Sequence, residues 1–120
     1  MDLDLKKLQE LAEKQQIFFK NGKIHKIKFE GMKIATENYV KLKNSLKIFK
    51  IAQIIQENDE IFLNCHKLVD PVYNDQLIAY SFSGISIELD KIYVENIANC
   101  IGEIFYYNNL PYIYFKFLVN

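Results

Sequence analysis

Tyr39-Val-Lys-Leu-Lys-Asn-Ser-Leu-Lys-Ile48 is the stretch on which the fold turns. Val40, Leu42, Leu46 and Ile48 hold even positions and Lys41, Lys43 and Lys47 odd ones. A period of two places apolar and charged side chains on opposite faces of an extended chain. On a helical wheel, residues 39–55 scatter their apolar side chains round the full circle. The segment therefore reads as strand over 39–51, against the alternative of one fully buried helix across 37–57.

Working outward toward the C-terminus, Ile51–Gln56 and Ile61–His66 read as a hairpin turning through Glu57-Asn-Asp-Glu60. After a loop containing Asp70-Pro71 and Asn74-Asp75, strands are expected at 77–82 and 85–89, separated by Ser83-Gly84. Residues 91–101 break the pattern: Val94, Ile97, Ala98 and Ile101 have helical spacing, with Asp90 placed to cap the start and Gly102 the end. They predict a short helix. The chain closes with Ile104–Tyr107, a turn at Asn108-Asn-Leu-Pro111, and a strand Tyr112–Val119 whose Ile113, Phe115, Phe117 and Val119 form one apolar face.

Toward the N-terminus, Ile17 to Phe29 is a hairpin around Asn21-Gly22, the pair suited to the positive φ values of a type I′ turn. Before it, Leu5, Leu8, Leu11 and Ala12 recur at three- and four-residue spacing behind Asp2 and Asp4, which predicts a helix over 2–16. The sum is one α+β domain over 1–120. An N-terminal helix packs on a mostly antiparallel β meander, with a second short helix near 91–101.

Charge is divided along the chain although its net value is zero. Between Lys20 and Lys50 lie nine lysines against Glu30 and Glu37; from Glu57 onward lie nine acids against Lys67, Lys91 and Lys116. This asymmetry points to a polarised surface and a charged partner. All fifteen basic residues are lysine. Without a guanidinium there is no forked contact to guanine or carboxylate, so anion recognition rests on ammonium groups and backbone amides. Half the residues are apolar and a quarter charged, an ordinary globular balance. The start has no basic and apolar leader, no apolar run approaches a membrane span, and Cys65 and Cys100 lack the company of a disulfide framework. A cytoplasmic protein with reduced thiols is expected.

Three groups of residues are candidate sites. Lys26 and Lys28 share one strand face, and Lys41 and Lys43 another, with Lys47 following. They could bind phosphates or an acidic protein, and equally suit a solvated face that resists edge-to-edge pairing. Tyr106, Tyr107, Tyr112 and Tyr114 form a C-terminal aromatic group, material for a protein interface, for self-association, or for a strand covered on both faces. Cys65, His66, Asp70 and Asp75 are the local cluster of ligand-type side chains, but they follow no metal-binding spacing. His25 shares the face of Ile27 and Phe29 and reads as a hydrogen-bonded core or edge histidine.

No glycine-rich phosphate loop or nucleophile motif is present, so neither an enzyme nor a cofactor is expected. The reading is a small binding protein of the inhibitor or immunity type, in the style of phage or mobile-element sequences. Its partner is expected to be a protein with an acidic surface. The alternative is a module that binds nucleic acid or nucleotides through lysine contacts to phosphate.

Overall fold

Four two-residue turns set the course of the chain. Asn21-Gly22 (φ 54° and 76°), Glu30-Gly31 (48° and 81°), Asn58-Asp59 (47° and 65°) and Asn108-Asn109 (50° and 64°) carry positive φ at both central positions. This is the type I′ pattern, whose twist matches that of the flanking antiparallel strands. In the computed structural model, which describes residues 15–98 and 100–117, these turns join three sets of strands. The first set is β1 (Gln15–Lys20), β2 (Lys23–Phe29) and β3 (Met32–Ala35). The second is β5 (Ile48–Glu57) with β6 (Glu60–Val69), and the third β11 (Cys100–Tyr107) with β12 (Leu110–Phe117). Between them lie β4 (Tyr39–Lys41), β7 (Val72–Asn74), β8 (Ala79–Ser81), β9 (Gly84–Ile85) and β10 (Asp90–Tyr93).

β1, β2 and β3 form a three-stranded sheet in that order. The other nine strands form a curled sheet along the path β10-β6-β5-β4-β11-β12-β8-β7, with β9 also paired to β6. All pairings are antiparallel.

The larger sheet is buried on both faces around β4 and β5, which is why adjacent residues there are both apolar. One face, with Val40, Phe49, Ile51, Ile54, Leu63, Cys65 and Ile92, shares a core with Ile27, Met32 and Ile34 of the small sheet. The opposite face carries a second cluster of Tyr39, Ile48, Leu68 and Ile113. Gly102 pairs with Tyr39 on that second face. A Cβ there would stand 2.9 Å from Ile113 Cγ2, Phe115 Cε1 and Tyr39 Cβ. Glycine is needed for close approach, not to end a helix.

The α+β expectation is overturned. Among the described residues the chain is nearly all β, its one helical element being a 3-10 turn at Val94–Asn96, and no helix packs on the sheet. Most of the helix predicted over 2–16 lies outside the described residues, and its last two positions, Gln15 and Gln16, open β1. The helix expected near 91–101 is replaced by β10, the 3-10 turn and the start of β11. Ile92 and Val94 reach the core by strand alternation, and the 3-10 turn then resets the phase so that Ile97 returns to it. Three-residue spacing thus arises without a helix. The backbone bonds that a helix would make internally go instead to β6 through the Asp90–Tyr93 register, and to β4 and the residues after it through Ala98 N–H to Lys41 O (2.8 Å) and Lys43 N–H to Asn96 O (2.9 Å).

No continuous helix runs across 37–57. The segment forms β4, a turn over residues 42–47 and β5. The strands expected at 77–82 and 85–89 shrink to β8 and β9, and β9 pairs with β6 instead of β8. At the last hairpin, Leu110 and Pro111 belong to β12, not to the turn.

Candidate binding surfaces

The lysines divide among three places. On β2, Ile27 is buried while Lys26 and Lys28 face outward, and on β3 Lys33 faces outward beside buried Met32 and Ile34. The register sets Lys28 directly opposite Lys33, and Lys20 opposite Lys23 at the hairpin end. Lys26 lies over the ring of exposed Phe18, its Nζ 5.0 Å from the centroid. Among the described residues, none of these five lysines is paired to a carboxylate within 4.0 Å. His25, expected as a core or edge histidine, is instead exposed on β2, the central strand of this sheet, where the β1–β2 register shifts past it, its Nδ1 3.4 Å from Thr36 Oγ1.

Lys41 is not part of that face. It belongs to the larger sheet and reaches Tyr80, with Nζ 3.4 Å from the hydroxyl oxygen and 5.6 Å from the ring centroid. Lys43 is exposed beside a small hollow lined also by Glu30, Met32 and Glu95. Lys47 is exposed in the turn before β5, where its N–H donates to Ser45 Oγ at 3.1 Å. The structure therefore keeps Lys26 and Lys28 together and adds Lys33, but separates Lys41, Lys43 and Lys47 from them. Lys33 was legible only with the Glu30-Gly31 turn, which fixes its position opposite Lys28.

The tyrosines lie on one hairpin but on two faces. Phe105 stacks on Tyr112 (centroids 5.7 Å, planes 23° apart), and Tyr107 and Tyr114 meet this pair edge-on at 6.4 and 5.7 Å. This half-exposed row is closed at its base by Glu103, which accepts from the Tyr114 hydroxyl at 2.6 Å and from Lys116 Nζ at 3.2 Å. The two donors hold the Glu103 carboxyl below its usual range, the Tyr114 hydroxyl contributing most, and Glu103 in turn raises Lys116. Tyr106 points to the other face and is 70% exposed.

The cluster around His66 does not converge. Cys65 and His66 are consecutive strand residues and so face opposite ways. Cys65 is buried, while His66 Nδ1 lies 3.2 Å from the Glu88 carbonyl oxygen. Asp70 and Asp75 belong to the connections flanking β7. Among the described residues no three His, Cys, Asp or Glu side chains are grouped to hold a metal ion, and no helix is long and apolar enough to cross a membrane.

A further concavity of about 550 Å³ lies on the larger sheet across β4, the start of β11, β12 and β8, lined by Lys41, Leu46, Tyr73, Ile78, Tyr80 and Phe115 together with Ala98 and Cys100. Sequence reasoning missed it, apart from Lys41. Tyr73 and Tyr80 become neighbours only through the β7–β8 pairing. The chain matches no family model, no curated protein and no solved structure.

Proposed function

We propose that the protein is a non-catalytic binding protein of the inhibitor or immunity type, which engages an acidic protein surface through the outward face of β1–β3. The observation that carries this reading is the Lys28–Lys33 cross-strand pair, repeated at Lys20–Lys23. Like charges directly opposite one another destabilise a sheet. Here they stand without a neutralising carboxylate among the described residues, so the free protein bears a cost that an anionic partner removes. Exposed Phe18, opposite Lys26, borders the lysines and supplies apolar contact area. The aromatic row of β11–β12 is the second surface available to a partner.

Fluorescence anisotropy with labelled poly-L-glutamate tests this, with single-stranded and duplex DNA of matched charge as comparison. Binding to poly-L-glutamate should weaken with salt and be lost in the triple variant Lys26→Glu, Lys28→Glu, Lys33→Glu, with circular dichroism confirming its fold. Tighter binding of single-stranded DNA, sensitive to Phe18→Ala through loss of base stacking, would favour the nucleic-acid reading. Retained poly-L-glutamate binding by the folded triple variant would remove the lysine face from consideration and leave Tyr107 and Tyr112 as the leading contacts.

A further inference from the structure

The concavity across β4, β11, β12 and β8 has features that the packing of the sheet does not require. Its volume, about 550 Å³, falls within the ~300–1,000 Å³ typical of small-molecule sites. Its aromatic wall is built in advance: Tyr73 and Tyr80 lie 5.1 Å apart, and Phe115 meets Tyr80 edge-on at 6.0 Å. Leu46 and Ile78 stand at the rim, 73% and 69% exposed, as apolar side chains left in water.

Ile78 is held at φ +53°, a left-handed conformation that a β-branched residue rarely adopts. The segment before it is fixed by Asn74, whose Oδ1 accepts from Gln76 N–H (2.9 Å) and Leu77 N–H (3.0 Å). The chain thus accepts local strain to place an isoleucine at the mouth. The polar element is Lys41. The residue is half-buried, and its ammonium lies against the Tyr80 hydroxyl and ring and has no carboxylate within 4.0 Å among the described residues. A cation in a mostly apolar hollow with one aromatic wall attracts an anion whose body is itself flat and apolar.

We infer that this cleft is a binding site for a small aromatic organic anion, its ring body against Tyr73, Tyr80 and Phe115 and its acidic group on the Lys41 ammonium. The site is separate from the lysine face of β1–β3 and does not depend on the function proposed for that face. Leu46 and Ile78 cover the ring from the solvent side. Asn44 and Ser45, at the same rim, offer polar atoms to the remaining acid oxygens.

Two probes with the same anilinonaphthalene body separate the charge from the ring: 8-anilinonaphthalene-1-sulfonate carries the acid and N-phenyl-1-naphthylamine lacks it. Fluorescence titration should give one saturable site that prefers the sulfonate. Lys41→Met should weaken the sulfonate about tenfold to a hundredfold, as expected for loss of a charge-assisted contact, while changing the neutral probe little. Lys41→Arg should restore the preference, and Lys26→Met should leave it intact. Leu46→Ser, at an exposed position that does not threaten the fold, should weaken both probes. Amide chemical-shift changes on adding the sulfonate should centre on residues 41–46, 73–80 and 115. The inference is overturned if the two probes bind equally, if Lys41→Met leaves the sulfonate affinity unchanged, if no saturable binding occurs, or if the shifts centre on the exposed apolar segment Ile85–Leu89.

Discussion

Cys65 illustrates how burial fixes the chemistry of a single side chain. It lies fully buried on β6, opposite Ile51 and beside Asp90 on the neighbouring strands. Burial, with a smaller contribution from the Asp90 charge, pushes its thiol up to about 12 from an ordinary 9.0. Cys100 is raised for the same reason, although the Lys41 ammonium opposes the shift. The sign of the linkage follows. Below pH 9 both native and unfolded states hold the Cys65 proton, whereas between pH 9 and 12 the unfolded state releases a proton that the native state keeps. Stability contributed by the thiol is thus complete below pH 9 and declines above it, by at most about 1.4 kcal/mol per pH unit. Cys65→Ala should cost about 1–3 kcal/mol at neutral pH through lost packing, and the gap to wild type should narrow as pH rises above 9. Urea denaturation of both proteins from pH 7 to 10.5 measures it; a gap that stays constant would refute the assignment. The sequence placed Cys65 in a strand, Ile61–His66, as a reduced thiol. What it could not supply was Asp90, which reaches Cys65 only through the β6–β10 pairing.

At the scale of the element, the strands were legible wherever one face meets the core and the other meets water. The alternation of Ile27 with Lys26 and Lys28, and the turns at Asn21-Gly22 and Asn58-Asp59, are local signals, and the structure follows them. Local signals failed where packing sets the pattern from outside. In 91–101 the apolar spacing of a helix results from a strand, a 3-10 turn and a second strand meeting the same core, a coincidence that no window of sequence distinguishes. The Glu30-Gly31 turn carries a further consequence. By setting Lys28 opposite Lys33 it builds a repulsive pair into the β2–β3 hairpin. Lys33→Thr removes the repulsion and introduces a β-branched residue suited to an outward strand position, so it should stabilise the fold by about 0.2–1 kcal/mol at low salt. The gain should shrink as salt screens the wild-type pair. Thermal melts at two ionic strengths test this: a variant less stable than wild type, or a gain indifferent to salt, would show that the two ammonium groups already avoid one another.

At the scale of the whole molecule, the order of strands lay beyond local reading because the decisive pairings are distant in sequence. Tyr39 meets Gly102, and β6 takes β10 as its neighbour. For the same reason the candidate lysines, grouped as one site when read along the chain, are divided between the small sheet and the larger one once folded. The joint between the two sheets is the core cluster in which Ile27, Met32 and Ile34 meet Phe49, Ile51, Ile54 and Leu63. A three-stranded sheet gains its stability from such packing, so β1–β3 should unfold together with the larger sheet. The distribution of tyrosine makes this measurable. All eight tyrosines lie at position 39 or later, none in β1–β3, and there is no tryptophan, so tyrosine fluorescence reports on the larger sheet alone. Ile34 is fully buried in the shared cluster, and Ile34→Ala should cost about 2–5 kcal/mol. If the two sheets form one cooperative unit, this substitution in the small sheet must move the tyrosine transition by the full amount, and the far-ultraviolet circular dichroism transition must coincide with it. A tyrosine transition left at its wild-type midpoint, preceded by a separate loss of β signal, would mean instead that the sheets unfold independently and that their shared apolar cluster does not couple them.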